Sequence, residues 1–338
     1  QTDQESYALG LSRLGRFYAG CYYLCRDKDP KLGWGYFGCK CFSRAAGLSD
    51  EIKGEIKDDY EELLIIMRKK AMEQSDYERY SCALEEFVKV YEKPDDPWIW
   101  YMLIHCESIC CPGPDVLEKV KHVLGTEFSN TAQGGGDIDL YIQLIRLCAE
   151  LENELDIPDS LEHLLDRIAE LSGKDPSGVA WNQCVATVIN LAVSQKRYDL
   201  AEEYLETYRR IADSGEMYPK MIGIAMETDL KISRHLDGLP ADLEASLTDI
   251  KKAYRMACAL HDYRAQGWVA GLWGECQLLL KDRAGEGNLR KSMDFRKGGR
   301  EKTKSYRNWL KRIEGYGLQP RTRGMLEEEM GRVGMCKT

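Results

Sequence analysis

Residues 80–100 read YSCALEEFVKVYEKPDDPWIW, and the spacing within them decides the fold. Tyr80, Ala83, Phe87 and Val90 fall at i, i+3, i+7 and i+10, so they line one side of an α-helix. The small Ala83 admits a close neighbour, and Phe87 fills the volume beside it. Pro94 forbids continuation, because its ring clashes with the preceding turn and it has no donor. Asp95 and Asp96 stand where an N-cap is wanted, Pro97 suits a first turn, and Trp98 opens the next apolar stripe. The stretch predicts helix, tight turn, helix.

The pattern recurs along the chain. KRYDLAEEYLETY puts Tyr198, Ala201, Leu205 and Tyr208 at the same offsets, and LGRFYAGCYYLCRDKDP puts Phe17, Gly20 and Leu24 there, followed by Pro30. A looser copy, SLEHLLDRIAELSGKDP, carries Leu161, Leu165 and Ile168 and then Pro176. A Pro followed four residues later by Trp occurs at Pro30/Trp34 and Pro94/Trp98. These pairs lie 64 residues apart, close to twice a unit of about 32. Further paired helices are expected from Trp98 to Cys110 and Pro114 to Leu124, and from Ile138 to Leu155 and Leu161 to Leu171. Val179–Ser194 with Tyr198–Ala212 follows, then Met217–Leu236, Leu243–Leu260 and Gln266–Leu280.

Aromatic, Ala, large apolar and a closing Pro in this order resemble helix B of the tetratricopeptide repeat, a helix-turn-helix unit of about 34 residues. Residues 80–94 and 198–208 carry the match best. Helix A is represented only by fragments, Tyr7-Ala8 before the first copy and Trp273-Gly274 before the last, and several units depart from the family's length. ACALHDYRAQGWVAGLWGECQLLLKD is similar to the more degenerate repeats of bacterial transcription regulators. The resemblance implies an all-α, tetratricopeptide-like right-handed superhelix, a solenoid of helical hairpins. It divides into repeats over 1–130, continuous repeats over 137–290, and a basic tail over 291–338. The join FSNTAQGGGD holds Gly134, Gly135 and Gly136, which read as a flexible loop or an engineered linker.

Composition bounds the function. At 43% hydrophobic and 30% charged the chain reads as an ordinary folded protein, with no apolar run near the roughly 18 residues of a membrane span and no signal-like opening. Thirteen cysteines without a Cys-x-x-Cys read as reduced core thiols in a reducing compartment, cytoplasmic or nuclear. A zinc site around His105, Cys110 or Cys111 is the rival reading. The net charge of −9 hides an asymmetry: residues 290–323 hold twelve Lys/Arg against three Asp/Glu, leaving the preceding residues near −17. That block, with Arg300, Lys302 and Lys304, reads as a solvated terminal helix face that an acidic partner can meet, or more weakly nucleic acid.

Catalytic signatures are missing. No phosphate loop, dinucleotide fingerprint, His-Glu-x-x-His or Gly-x-Ser-x-Gly occurs, and none of the five His belongs to a recognisable Ser or Cys nucleophile motif. DDYEE at 58–62 is similar to the magnesium-binding motif of all-α terpene cyclases, but its second motif has no counterpart, so the stretch reads as a helix face. No catalytic residue, cofactor or metal is expected. A stacked repeat instead offers a groove lined by first helices, and the register places Arg68, Met72, Met102, Cys106, Gln183, Ala186, Asn190 and Ser194 there. The resemblance implies for Asn190 a contact with a ligand backbone. The expectation is a non-catalytic scaffold or adaptor for a protein or peptide. A ligand-sensing regulatory array is the alternative.

Overall fold

The computed structural model describes residues 2–25, 32–74, 77–91, 97–110, 112–126, 137–171, 178–212, 216–297 and 304–334, and among these every regular element is a helix. Two compact units divide at Cys110/Cys111. The basic tail belongs to the second unit, and the glycine join at 134–136 lies outside the described residues, as do Pro94, Asp95 and Asp96. No described helix is long and apolar enough to cross a membrane.

Unit 1 holds α1 (Thr2–Cys25), α2 (Gly33–Ala46), α3 (Asp50–Glu55), α4 (Lys57–Gln74), α5 (Tyr77–Tyr91) and α6 (Pro97–Cys110). Its core forms around the opening stripe: Tyr80, Ala83 and Phe87 are all buried. Phe87 meets Tyr60 edge-on with ring centres 5.0 Å apart and stacks on Tyr91 at 4.6 Å. The Tyr80 hydroxyl donates to the Leu64 carbonyl at 2.9 Å, which ties α5 to α4 and satisfies a buried polar group.

The α1 copy of the stripe behaves otherwise. Phe17 is 61% exposed and Leu24 88% exposed, while Ala8, Ser12 and Tyr22 face the core. The buried side of α1 is therefore a different stripe, along which α2 packs closely. DDYEE lies at the start of α4, where Arg16 Nε donates to Asp59 at 2.6 Å and the Tyr23 hydroxyl donates to Glu62 at 2.6 Å. Its carboxylates link the surfaces of α1 and α4.

Unit 2 holds α7 (Pro114–Thr126), α8 (Ile138–Glu154), α9 (Ser160–Ala169), α10 (Gly178–Ser194), α11 (Tyr198–Ala212), α12 (Met217–Leu236), α13 (Leu243–Ala259), α14 (Tyr263–Leu279), α15 (Gly285–Lys297), α16 (Lys304–Glu314) and α17 (Pro320–Gly334). From α8 to α15 the helices form hairpins. The first helices, α8, α10, α12 and α14, touch one another in sequence, and the second helices α9, α11 and α13 each wedge against the first helix of the next pair.

The same terminator closes five of these helices. Asp156, Lys196, Gly238, His261 and Lys281 all take positive φ. In each case the next residue's N–H bonds back across the last turn, from Ile157, Arg197, Leu239, Asp262 and Asp282 to the carbonyls of Glu152, Ala192, Arg234, Ala257 and Gln277. Asp137, Asp242 and Asp262 cap the starts of α8, α13 and α14 with their side chains. Local chemistry thus repeats with the hairpin. The tightest pairing is α14 with α15, where a Cβ on Gly285 would stand 2.4 Å from the Gly274 carbonyl oxygen, so only glycine fits.

Ala83 and Ala201 are fully buried at matching points of α5 and α11. Leu at either site is expected to overpack and to lower stability by about 1–3 kcal/mol in urea unfolding, with helical circular dichroism retained. Neutrality at both sites would show that these faces are not closely packed.

Candidate functional site

The face made by the first helices of unit 2 carries the polar side chains that the apolar periodicity leaves over. On α8 and α10 they form one network. Gln143 Nε2 donates to Gln183 Oε1 at 2.6 Å, and Arg146 donates to Gln143 at 3.2 Å and to Glu150 at 2.8 Å. Thr187 donates to the same Glu150 oxygen at 3.0 Å. Gln183, Ala186, Asn190 and Ser194 run along one side of α10, the first two half-buried and the last two exposed. Ser194 borders a shallow opening with Asn153, Ser160 and Gln195.

Counting back six residues from the left-handed closing residue gives Glu150 in α8, Asn190 in α10 and Glu275 in α14. Three hairpins thus place a polar side chain at one position. Asn190 is open to solvent, whereas Glu275 is 0% exposed and covered.

What covers Glu275 is α16. Trp309 Nε1 donates to Glu275 Oε1 at 2.8 Å, Arg312 Nη2 to the same oxygen at 2.6 Å, and the Tyr316 hydroxyl to Oε2 at 2.8 Å. Arg312 also reaches Asp229 on α12 at 3.2 Å, and Arg307 pairs with Glu154 at the end of α8. Gly271 makes this approach feasible, since a Cβ there would stand 3.0 Å from the Trp309 ring and 2.9 Å from Ser292 Oγ. Burial pulls Arg312 down, but Glu275 and Asp229 more than offset it and hold the guanidinium above its ordinary value. Tyr316 is pushed up by burial and by the charge of Glu275, so it stays a neutral donor.

The other half of α16 is apolar. Tyr306, Leu310 and Ile313 are buried with Leu289 and Met293 of α15 and Leu326 of α17. Two more buried carboxylates fix α17. Glu286 accepts from Thr322 Oγ1 at 2.8 Å and from the Gln319 N–H at 3.2 Å, and Glu329 accepts from Tyr306 at 3.1 Å and Arg332 at 2.7 Å.

Several sequence-derived positions require correction. Met102 and Cys106, assigned to a groove, are 2% and 1% exposed in the core of unit 1, with the Met102 sulfur 2.9 Å from the Tyr80 hydroxyl. They offer a partner no surface. Arg68 is engaged within unit 1, its guanidinium over the rings of Trp98 and Tyr101 at 5.7 and 5.9 Å. The side chain of Met72 is outside what the structure describes, as is that of Lys304. Arg300 and Lys302 lie outside the described residues. The basic block is not simply a solvated face, because Arg307 and Arg312 are bound to carboxylates of α8, α12 and α14.

Cys110 and Cys111, the zinc alternative with His105, also fall outside the described side chains. The nine described cysteines are free thiols. Burial pushes Cys148 up to about 11 and Cys184 and Cys276 up to about 12, so these thiols stay protonated and inert at neutral pH.

Sequence reasoning missed Glu154, Asp229, Glu275, Trp309, Arg312 and Tyr316. One local signal exists. Glu275 is the lone charge in AQGWVAGLWGECQLLL, and a lone carboxylate in an apolar helix demands donors from elsewhere. No protein-family model matches the chain, and no curated protein matches it.

Two outcomes are expected. Glu275→Ala leaves Arg312 without its buried partner and should lower unfolding stability by about 3–5 kcal/mol. With a thiol reagent at neutral pH, Cys82 and Cys258, both exposed, should react fast. Cys184 and Cys276 should react only at the rate of unfolding, and early labelling of either by peptide mapping would show that unit 2 opens locally.

Proposed function

We propose that the chain is a non-catalytic, tetratricopeptide-like scaffold whose second unit takes a protein or peptide segment in a groove formed by α8, α10, α12 and α14. The observation that carries this reading is the side of α10. From Cys184 to Ser194 most of α10 is apolar and buried, yet Asn190 and Ser194 point to solvent, in line with Gln183 and beside the hydrogen-bonded network of Gln143, Arg146, Glu150 and Thr187. A rigid array of this kind presents polar groups already fixed in place, so little side-chain freedom is lost when a partner settles on them. The polar network of α8 and α10 joins one helix to the next through Gln143–Gln183 and Thr187–Glu150, an arrangement that fits a binding surface.

A nucleic-acid role for the basic tail is less favoured. Two of its arginines, Arg307 and Arg312, are engaged by carboxylates and are not available to phosphates.

The test places bulk and charge on the proposed surface. Asn190→Arg should abolish recovery of the protein that co-purifies with the wild-type chain, without changing its melting temperature. Glu203→Arg, on the exposed side of α11, should leave recovery unchanged. Equal recovery with Asn190→Arg would remove the first-helix face from consideration.

A further inference from the structure

The tail of unit 2 lies where the proposed partner would bind. Through three side chains α16 reaches α8, α12 and α14, three of the four first helices, at points distant in sequence: Glu154, Asp229 and Glu275 stand 153, 83 and 37 residues from their arginine partners. All three acceptors are carboxylates and the two long donors are arginines. The charge division along the chain matches, with the residues before Arg290 near −17 and residues 290–323 at twelve positive against three negative.

We infer that α16 is a ligand held in cis on the first-helix face. The partner of that face is then a basic helical segment of the same chemistry, two arginines five apart flanking an indole, and it binds by displacing α16. The inference rests on the reading of that face as the partner site. Within α16 the labour is divided in a way that permits exchange. Tyr306, Leu310 and Ile313 are buried with residues of α15 and α17, with Leu278 of α14 at the edge of the cluster, whereas Arg307 and Arg312 carry the ion pairs to α8 and α12. Arg307 keeps 32% of its side chain exposed, and such partly hydrated pairs add directionality and little stability. A tethered segment nevertheless acts at an effective concentration on the order of millimolar, so a weak latch still excludes a dilute competitor.

The probe is a fluorescein-labelled synthetic peptide of residues 304–334, comprising α16 and α17, added to the full chain. Wild type should bind it weakly. Arg307→Glu, which sets two carboxylates against each other at Glu154, should bind it at least tenfold more tightly and show at least tenfold faster hydrogen exchange in α16. Arg307→Glu combined with Glu154→Arg restores the cis pair in reverse and opposes the arginine of the peptide, so the gain should vanish. Unchanged exchange in Arg307→Glu, or equal peptide binding by the single and double variants, would establish α16 as a fixed part of the fold and overturn the inference. Should that happen while Asn190→Arg still abolishes partner recovery, the face remains a partner site without a cis ligand. Indifference to Asn190→Arg removes the functional reading itself.

Discussion

A carboxylate sealed from water costs several kcal/mol unless donors meet it, and Glu275 is such a carboxylate, in the middle of an otherwise apolar helix. It receives an indole N–H, a guanidinium and a phenol, all from α16 and the residues just after it. The chain after α15 is therefore not free to trail into solvent. It must return to α14, and Gly271, one turn before Glu275, leaves the room its indole needs. The position of α17 follows, since Glu286 in α15 takes the Gln319 amide and the Thr322 hydroxyl at its start.

Helical periodicity made the helices from α5 to α14 legible, because the side chain at i+3 or i+4 returns to one face whatever lies beyond it, while α2 to α4 were not read from it. Tyr198, Ala201, Leu205 and Tyr208 are buried together, as their spacing predicts, and so are Tyr80, Ala83 and Phe87. Phe17, Gly20 and Leu24 share the offsets and fail. Two stripes overlap on α1, and the one through Ala8, Ser12, Gly15 and Tyr22 is buried: α2 comes so close that a Cβ on Gly15 would stand 2.6 Å from the Phe42 ring. Spacing reports that a helix has a face; it does not report which of two faces its neighbour takes.

The same distinction explains which site residues could be read. The sequence of α6, PWIWYMLIHCESIC, is apolar nearly all round, so no polar side marks its exposed face, and Met102 and Cys106 turn inward. In α10 the polar residues Gln183, Asn190 and Ser194 interrupt an apolar helix at a helical interval, and that interruption marks its outer side. The ion pairs of α16 follow no interval. Glu154 and Arg307 are joined by the path of the whole unit, and only the lone charge at Glu275 announced that something had to come back to it.

Apolar contacts and charged contacts do separate work in the tail. Leu310, Ile313, Leu318 and Leu326 would bury equally well against many arrangements of α15 to α17, since apolar packing is tolerant of small shifts. The charged contacts are less tolerant, because Arg312 Nη2 must lie within hydrogen-bond reach of a Glu275 and an Asp229 oxygen at once. Arg312, shared between Glu275 and Asp229, therefore sets where α16 lies relative to α12 and α14, and Arg307 extends that placement to α8. Replacing these pairs with well-packed apolar side chains could leave the unit as stable or more so. It would also remove the directional contacts that join the last helices to the first helix face, and with them the dependence of that face on charge.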